Sequence, residues 1–211
     1  MPRTIEFDKQ ETLRRAMGVF WRQGYNATSI KDLTLATRLQ PGSLYGAFHN
    51  KRSLFIAALD AYFLDIRQRI QDCLHNGQAP LTRLRGFFDR LIEEAVCDPD
   101  KKGCLLVNTL LEMPAEDTEI NSLVSKMFAE VEKEFARVLE EARQRGDLAD
   151  DKNPAALAQL LVAGIYGLRV YHKTQPRTSA LREIVDGLFA ALGVPMAREV
   201  KSKRNTRRNR P

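Results

Sequence analysis

Residues 28–51 read Thr-Ser-Ile-Lys-Asp-Leu-Thr-Leu-Ala-Thr-Arg-Leu-Gln-Pro-Gly-Ser-Leu-Tyr-Gly-Ala-Phe-His-Asn-Lys, and this stretch decides the fold. Ser29 and Asp32 form a capping-box pattern, which predicts a helix that begins near Ile30. The run Arg38-Leu39-Gln40-Pro41-Gly42 ends that helix, because proline lacks an amide hydrogen and glycine tolerates unusual dihedrals. A second short helix follows, with Ser43 as its predicted N-cap. Two short helices joined by a tight turn form a helix-turn-helix, whose second helix fits the DNA major groove.

The rest of the chain also has helical periodicity. Asp8 and Glu11 predict the start of a first helix, and Gly24 predicts its end. Asn50 is the predicted cap of a long helix that stops at 75–77. Further helices are predicted over 80–96, up to 113, and over 118–145, 154–171 and 179–192. No convincing strand pattern appears, so the predicted fold class is all-α, with about nine helices in a three-helix head and a larger helical body.

Composition places the chain among ordinary soluble proteins, with 44% hydrophobic and 28% charged residues over 211 positions. We expect no membrane partner, because no apolar run approaches the roughly 18 residues of a membrane span and no signal peptide opens the chain. Three cysteines without framework spacing favour a reducing compartment. The expected localisation is therefore cytoplasmic.

Charge divides the sequence into three segments. Residues 1–52 carry nine Lys/Arg and four Asp/Glu, residues 53–200 carry 18 and 23, and residues 201–211 carry six Lys/Arg and no acidic residue. A basic head in front of an acidic body orients the molecule on a polyanion. The basic tail is predicted to be disordered, and it either adds nonspecific DNA attraction or is only solvated. The predicted domains are 1–52, 53–195 and 196–211.

Two N-terminal segments resemble the tetracycline-repressor (TetR) family of bacterial transcription regulators. One is Gly42-Ser43-Leu44-Tyr45-Gly46-Ala47-Phe48-His49-Asn50-Lys51 with Leu54-Phe55, and the other runs from Ala16 to Ile30. A weaker local match is Lys102-Gly103-Cys104-Leu105-Leu106-Val107-Asn108. The resemblance implies a homodimeric repressor of a palindromic operator that a small-molecule effector releases. It also implies that helices 154–171 and 179–192 pair with their copies, with an ordinary core pair within one chain as the alternative.

The same resemblance implies which residues contact double-stranded DNA. It places Thr28 and Lys51 at phosphates, and Ser43, Tyr45 and His49 near the backbone or bases. The small residues Gly46 and Ala47 are expected to permit close approach of the duplex or to contact a thymine methyl. The alternative is that Tyr45 and His49 only pack against the head. The predicted DNA-binding residues, including the tip of the recognition helix, are Thr28, Ser29, Gln40, Pro41, Gly42, Ser43, Tyr45, Gly46, His49 and Lys51.

Several residues of the body are candidates for an effector pocket. Polar groups on otherwise apolar helices, Asn108, Arg169 and His172, are candidates to orient a ligand, with surface exposure as the alternative. Aromatic and other apolar side chains at helical spacing are candidate walls, with an ordinary core as the alternative. These wall residues are Phe87, Phe88, Leu91, Met113, Phe128 and Tyr166.

Cys104 is a candidate redox or electrophile sensor. It follows Lys101-Lys102-Gly103 at a predicted helix N-terminus, where positive charge and the helix dipole favour the thiolate. Oxidation or alkylation there would switch the protein without a reversible ligand, with Cys97 as a possible resolving partner. The alternative is a small buried hydrophobic residue.

Enzymatic motifs are missing from the sequence. There is no Gly-x-Ser-x-Gly elbow, no phosphate-binding glycine loop and no His-Glu-x-x-His, and the three histidines are scattered. We therefore predict no catalytic residue, no metal site and no cofactor. A helical enzyme or an interaction module that does not bind DNA is the alternative from another functional class.

Overall fold

Nine α-helices make up the regular structure of residues 8–193, the part of the chain that this computed structural model describes. No strand occurs among these residues, so the all-α prediction is confirmed. The predicted tail, 196–211, lies outside them. The helices are α1 (Lys9–Gln23), α2 (Ile30–Thr37), α3 (Pro41–Phe48), α4 (Lys51–Leu74), α5 (Pro80–Val96), α6 (Leu105–Glu112), α7 (Thr118–Gln144), α8 (Pro154–His172) and α9 (Thr178–Ala191).

The ends of the first two helices follow the predicted signals. The Asp8 carboxylate accepts the first amides of α1, and Gly24 ends α1 at a φ of 82°, a conformation that favours glycine. Ser29 and Asp32 form the reciprocal capping box at the start of α2. Local hydrogen bonding therefore sets both helix starts before any tertiary contact is considered.

The start of α3 differs from the prediction. Proline 41 is the first residue of the helix, and Gln40 occupies the N-cap position without a side-chain hydrogen bond. The prediction that Ser43 caps α3 is wrong, because Ser43 lies inside the first turn with an exposed side chain. The missing amide of proline is harmless at the first helical position, where no partner exists, and its fixed φ suits the helix. The turn itself is residues 38–40, with Arg38 at a φ of 59°.

The core of the head is formed by one apolar face from each helix. Phe20 of α1, Leu33 of α2, Leu44 and Phe48 of α3, and Phe55 of α4 are all buried. The Phe20 and Phe55 rings meet edge to face at a centroid distance of 4.9 Å. Since α4 continues from this core into the body, the predicted domain boundary at residue 52 falls in the first turn of one continuous helix.

The body is a helical bundle around a second aromatic cluster. Phe87 and Phe88 of α5 pack against Phe135 of α7 at centroid distances of 5.2 and 6.2 Å. Phe189 of α9 meets Phe88 edge to face. These contacts join α5, α7 and α9, while α4 connects the bundle to the head.

One described helix, α8, is long and apolar enough to span a membrane by length and composition. The expectation that no apolar run approaches that length is therefore wrong. Its hydropathy is carried largely by Leu, Val, Ala and Ile, and α8 packs against α6, α7 and α9. These contacts are those of a helix in a bundle.

Candidate nucleic-acid interface and head–body junction

Most of the predicted DNA-binding residues lie on the exposed side of α3 or directly next to its ends. Leu44 and Phe48 point into the head core, because they lie four residues apart on one side of the helix. The remaining positions of α3 are exposed, apart from half-buried Ala47. The exposed predicted residues, with Gln40 just before the helix, are Gln40, Pro41, Gly42, Ser43, Tyr45, Gly46 and His49.

Two glycines interrupt this face without a structural need inside the chain. A Cβ atom added to Gly42 or Gly46 would meet nothing within 4 Å, and neither residue has a positive φ. Glycine inside a helix costs about 0.5–1 kcal/mol relative to alanine. Packing within the head therefore gives no reason for glycine at either position, and close approach of DNA there stays a prediction.

The two hydroxyl residues before α2 have partners within the protein. Thr28 is buried, and its hydroxyl donates to the carbonyl oxygen of Gly24. The Ser29 hydroxyl donates to the Asp32 carboxylate at 2.6 Å and accepts the Asp32 amide. A phosphate contact by either hydroxyl would have to replace these bonds. Their proposed contacts stay predictions.

Lys51 lies at the first turn of α4, next to the end of α3. Its ammonium group is 4.4 Å from the centroid of the Tyr25 ring, and the residue is half-buried. His49 ends α3 at a φ of 65°, and its amide donates to the Tyr45 carbonyl oxygen. The cation is thus held against the Tyr25 ring, and its phosphate contact stays a prediction.

An arginine-rich cleft beside α2 was missed at the sequence level. Arg14, Arg15, Arg22 and Arg38 line it, and the only acidic partner within the described residues is Glu11, which pairs with Arg14 and Arg15. The seven-residue spacing from Arg15 to Arg22 puts both on one side of α1, and this spacing was the available signal. The cleft gives the head a positively charged surface next to α2, whereas α3 itself carries no Lys or Arg.

The predicted aromatic pocket walls are packed as core. Phe87, Phe88 and Leu91 are buried on α5, and Phe87 and Phe88 contact Phe135 rather than an open space. Phe128 and Tyr166 form a separate edge-to-face pair at 4.5 Å, and burial raises the pKa of Tyr166 to about 12. Buried Met113 follows the end of α6. The aromatic contacts therefore form two groups, Phe87 with Phe88 and Phe128 with Tyr166, and the role of the six residues as pocket walls stays a prediction.

The polar candidates of the body are buried or bonded, so the alternative that Arg169 and His172 are surface residues is wrong. Each is only 8% exposed. Arg169 donates to Glu94 at 3.2 Å, and burial among positive charges lowers the pKa of His172. Asn108 donates to the Lys102 carbonyl oxygen and accepts from Lys173, both at 2.8 Å, so it fastens the loop before α6 to the end of α8.

Cys104 occupies the N-cap position of α6, as predicted, but it is 5% exposed. Cys97 is exposed on the preceding loop, and the three cysteines are free thiols in the described chain. Burial is the usual state of a small hydrophobic cysteine and restricts access to the sulfur. The reactivity of Cys104 stays a prediction.

Charged hydrogen bonds fasten the head to the body at two points. The Glu112 carboxylate accepts the backbone amides of Tyr25 and Asn26 at 2.9 and 2.6 Å. Gly24 is required beside it, because a Cβ there would lie 2.6 Å from Glu112 Oε2 and the φ is positive. At the second point, Arg52 forms a bidentate pair with Asp117, and this lowers the pKa of Asp117 to about 2.

Metal-ion chemistry gains no support from this part of the chain. Residues 8–193 contain no group of three or more His, Cys, Asp or Glu side chains that could hold a metal ion.

Both the head and the body match models of known protein families. The family model for bacterial regulatory proteins of the tetR family matches residues 13–58, and the tetracyclin repressor-like C-terminal domain matches residues 80–188. The transcriptional repressor DhaR of Mycobacterium sp. (strain GP1) is 25% identical over 87% of this chain and 91% of its own. The transcriptional regulator AcuR of Cereibacter sphaeroides is 28% identical over 82% of this chain and 79% of its own.

A solved structure of similar fold contains DNA. It is a cysteine mutant of the TetR family transcriptional regulator CifR, complexed with 26-bp double-strand operator DNA. The two chains superpose with a TM-score of 0.81 at 29% identity, over 90% of this chain and 99% of that one. The nine-helix architecture is thus that of a regulator whose operator complex is known.

Proposed function

The chain belongs to the tetR family of bacterial regulatory proteins, and from that premise we propose that it is a homodimeric transcriptional repressor that binds a palindromic operator and leaves it when a small-molecule effector binds. The observation that carries the proposal is the outer face of α3. Its exposed residues, with two glycines that the head does not need, suit a helix that lies against a duplex. The related CifR structure, which contains operator DNA, supports this reading.

An exposed apolar stripe on α8 supports the homodimer. Leu160, Val170 and Tyr171 are exposed large apolar side chains. Ala163 and Gly167 are exposed between them at spacings of three and four residues, so all five share one side of α8. A second copy related by a two-fold axis would cover this stripe and present two copies of α3 about 34–36 Å apart, the distance between successive major grooves on one side of B-DNA.

Release by an effector requires that the effector bind the DNA-incompetent state more tightly, since equal affinity shifts nothing. The two fastenings between head and body supply the mechanical link. Glu112 fixes the loop after α1, and Asp117 with Glu119 fixes the start of α4 through Arg52. A ligand that changes the packing of the body near α6 and α7 would therefore move the head as a unit.

The accompanying proposals follow from this function. The domains are a DNA-binding head over 1–52, an effector-binding and dimerisation body over 53–195, and a basic tail over 196–211. A repressor acts where the chromosome is, so the proposed localisation is cytoplasmic. No catalytic role is proposed.

Sensing through Cys104 remains a second route of release. Its place at the start of α6, beside the loop 97–103, would transmit a modification to Glu112 at the other end of the same helix. Its burial opposes direct attack by a reagent, so reversible ligand binding is the proposal we favour. A Cys104→Ser variant that still loses operator affinity under hypochlorite or a quinone would remove the cysteine from the mechanism.

Two substitutions that each remove one proposed phosphate-binding group test the DNA contacts. Tyr45→Phe and Lys51→Ala should each weaken both specific and nonspecific duplex binding by about 1 kcal/mol, roughly fivefold, because each loses a phosphate contact. Fluorescence anisotropy with labelled duplex at moderate salt measures the change. Lys126→Ala, at an exposed position of α7, is the matched control and should bind as the unmodified protein does. Unchanged binding in both variants would refute these roles.

A further inference from the structure

A polar cleft of about 260 Å³ lies where the head meets the body. Trp21 of α1 forms its wall on the head side, and the body contributes side chains from α4, α5, the loop 97–103 and α8. Of the residues predicted for the effector pocket, this cleft includes Arg169 and no other. The cleft is therefore a different candidate site, and it touches both parts that must move relative to each other.

The cleft carries more positive than negative charge. The Glu94 carboxylate is shared by Arg69 at 2.8 Å and Arg169 at 3.2 Å, while Arg90 lies 3.7 Å away. The side chains of Arg69 and Arg169 are only 16% and 9% exposed. Lys102 is balanced by Asp98 at 2.6 Å and Asp100 at 3.5 Å, so the uncompensated charge lies on the arginines. One carboxylate therefore serves two buried guanidinium groups, which favours a second anion nearby.

Buried donors without acceptors lie in the same place. The Nε atom of Arg69 is buried without a hydrogen bond, although Glu94 Oε1 is 2.8 Å away, because the N–H direction does not suit that oxygen. The indole Nε1 of Trp21 is also buried and has no acceptor. Leaving a buried donor unpaired is unfavourable, so a ligand that supplies acceptor oxygens to these two donors would gain affinity.

Beside the charged side chains of the helices, Trp21 and Tyr62 supply the aromatic part of the cleft wall, and the loop 97–103 supplies the rest. The rings of Trp21 and Tyr62 meet edge to face at a centroid distance of 4.8 Å. The volume is below the roughly 300–1,000 Å³ of sites for drug-sized ligands, so the occupant is small. We propose that this cleft binds a small organic monocarboxylate, whose carboxylate contacts the guanidinium groups of Arg69 and Arg169 and whose apolar body lies against Trp21 and Tyr62.

Binding here would act on the head through α1, an inference that rests on the proposed repressor function. Trp21 lies four residues before Tyr25, whose amide, with that of Asn26, is bound by Glu112. A ligand that displaces the indole ring shifts the end of α1 against this fastening. The monocarboxylate would then favour a head orientation different from the one described here, and it would lower duplex affinity.

The chain provides its own reporter, because Trp21 is its single tryptophan. We expect titration of the full-length protein with benzoate, and separately with butyrate, to give a saturable change in tryptophan emission. Benzamide, the neutral analogue of benzoate, should give none at the same concentrations. This comparison uses unmodified protein, so it does not depend on the folding of any variant. No saturable change with either carboxylate, or an equal change with benzamide, would overturn the proposal.

Variants locate the site and separate it from the proposed function. Arg69→Gln should raise the apparent Kd for the carboxylate at least tenfold, with a far-ultraviolet circular dichroism spectrum like that of the unmodified protein. Arg67→Gln is the matched control, because Arg67 lies one half-turn away on α4 with an exposed side chain, and it should leave the Kd unchanged. Equal Kd values for both variants would place binding elsewhere.

Duplex binding without carboxylate is measured in parallel. A protein that binds duplex but no carboxylate refutes only this inference, whereas one that binds carboxylate but no duplex refutes the repressor function.

Discussion

The outer face of α3 and the aromatic interior of the body differ in whether packing within the chain accounts for the residue types found there. Phe88 and Phe135 are fully buried and in contact with each other, so packing accounts for them without any ligand. Tyr45 and Gly46 are exposed, and a Cβ on Gly46 would touch nothing in the chain. Exposed residues that packing does not explain indicate a binding partner. Buried residues that packing does explain are weak evidence for a ligand. Substitutions in the two regions should therefore separate stability from DNA binding.

The largest expected effect lies in the interior. Phe88→Ala removes a fully buried ring between α5, α7 and α9 and should lower the free energy of unfolding by about 3–5 kcal/mol, because a cavity remains. Urea denaturation followed by circular dichroism measures this loss. Duplex affinity of the folded fraction should hardly change. A variant of normal stability that fails to bind duplex would erase the distinction between the two regions.

A substitution at the junction between head and body should have an intermediate effect and should change both stability and duplex binding. Glu112→Ala leaves the amides of Tyr25 and Asn26 without their charged acceptor and should lower the free energy of unfolding by about 1.5–3 kcal/mol. It should also weaken duplex binding, since the loop that orients α2 is released. Glu116→Gln, at an exposed position nearby, is the control for charge. If the two variants prove equally stable, Glu112 does not fasten the head.

On α3 the two properties should change in opposite directions. Gly46→Ala should raise the free energy of unfolding by about 0.5–1 kcal/mol, because alanine is the better helix former and has room. Duplex affinity should fall, because the added methyl group holds the DNA away. Gly86→Ala, at an equally open position of α5, should give the same stabilisation with unchanged DNA binding. Loss of stability in Gly46→Ala, or identical DNA binding in the two variants, would remove the argument from the glycines.

The smallest effect concerns pH and the Arg52–Asp117 pair. The pKa of Asp117 falls from 3.8 to about 2 on folding, so its contribution is present above pH 3.8 and is lost as the pH falls towards 2. Asp117→Asn keeps an N-cap oxygen for α7 and removes the charge. We expect the variant to be less stable at neutral pH by less than about 1 kcal/mol, and the two stability curves to converge near pH 2. Parallel curves in thermal denaturation between pH 5 and 2 would contradict a role for the charge.

The helix ends that depend only on local chemistry are predictable from the sequence. Nearby backbone amides and dihedrals set the helix caps at Asp8, Ser29 and Asn50 and the helix end at Gly24. A few neighbouring residues in the sequence are therefore enough to predict them. The start of α3 was misplaced because Pro41 suits both the end of one helix and the beginning of the next.

Long-range pairing explains the failures in the body. Arg169 and His172 were assigned to the surface as an alternative because polarity favours exposure, but Glu94, 75 residues earlier, makes burial of Arg169 possible. The contact between Glu112 and the loop at 25–26 spans 86 to 87 positions. No periodicity within one helix contains such information. The junction cleft, assembled from four helices and a loop, was accordingly not foreseen.

Sedimentation velocity of the full-length protein, alone and with duplex DNA at 50 and 200 mM salt, tests most directly whether a paired body presents α3 to a duplex. The account predicts a dimer that loads onto duplex at the lower salt and loses roughly 10³–10⁵ in affinity at the higher one, if it makes 6–10 phosphate contacts. A monomer that sediments independently of duplex at both salt concentrations would contradict it.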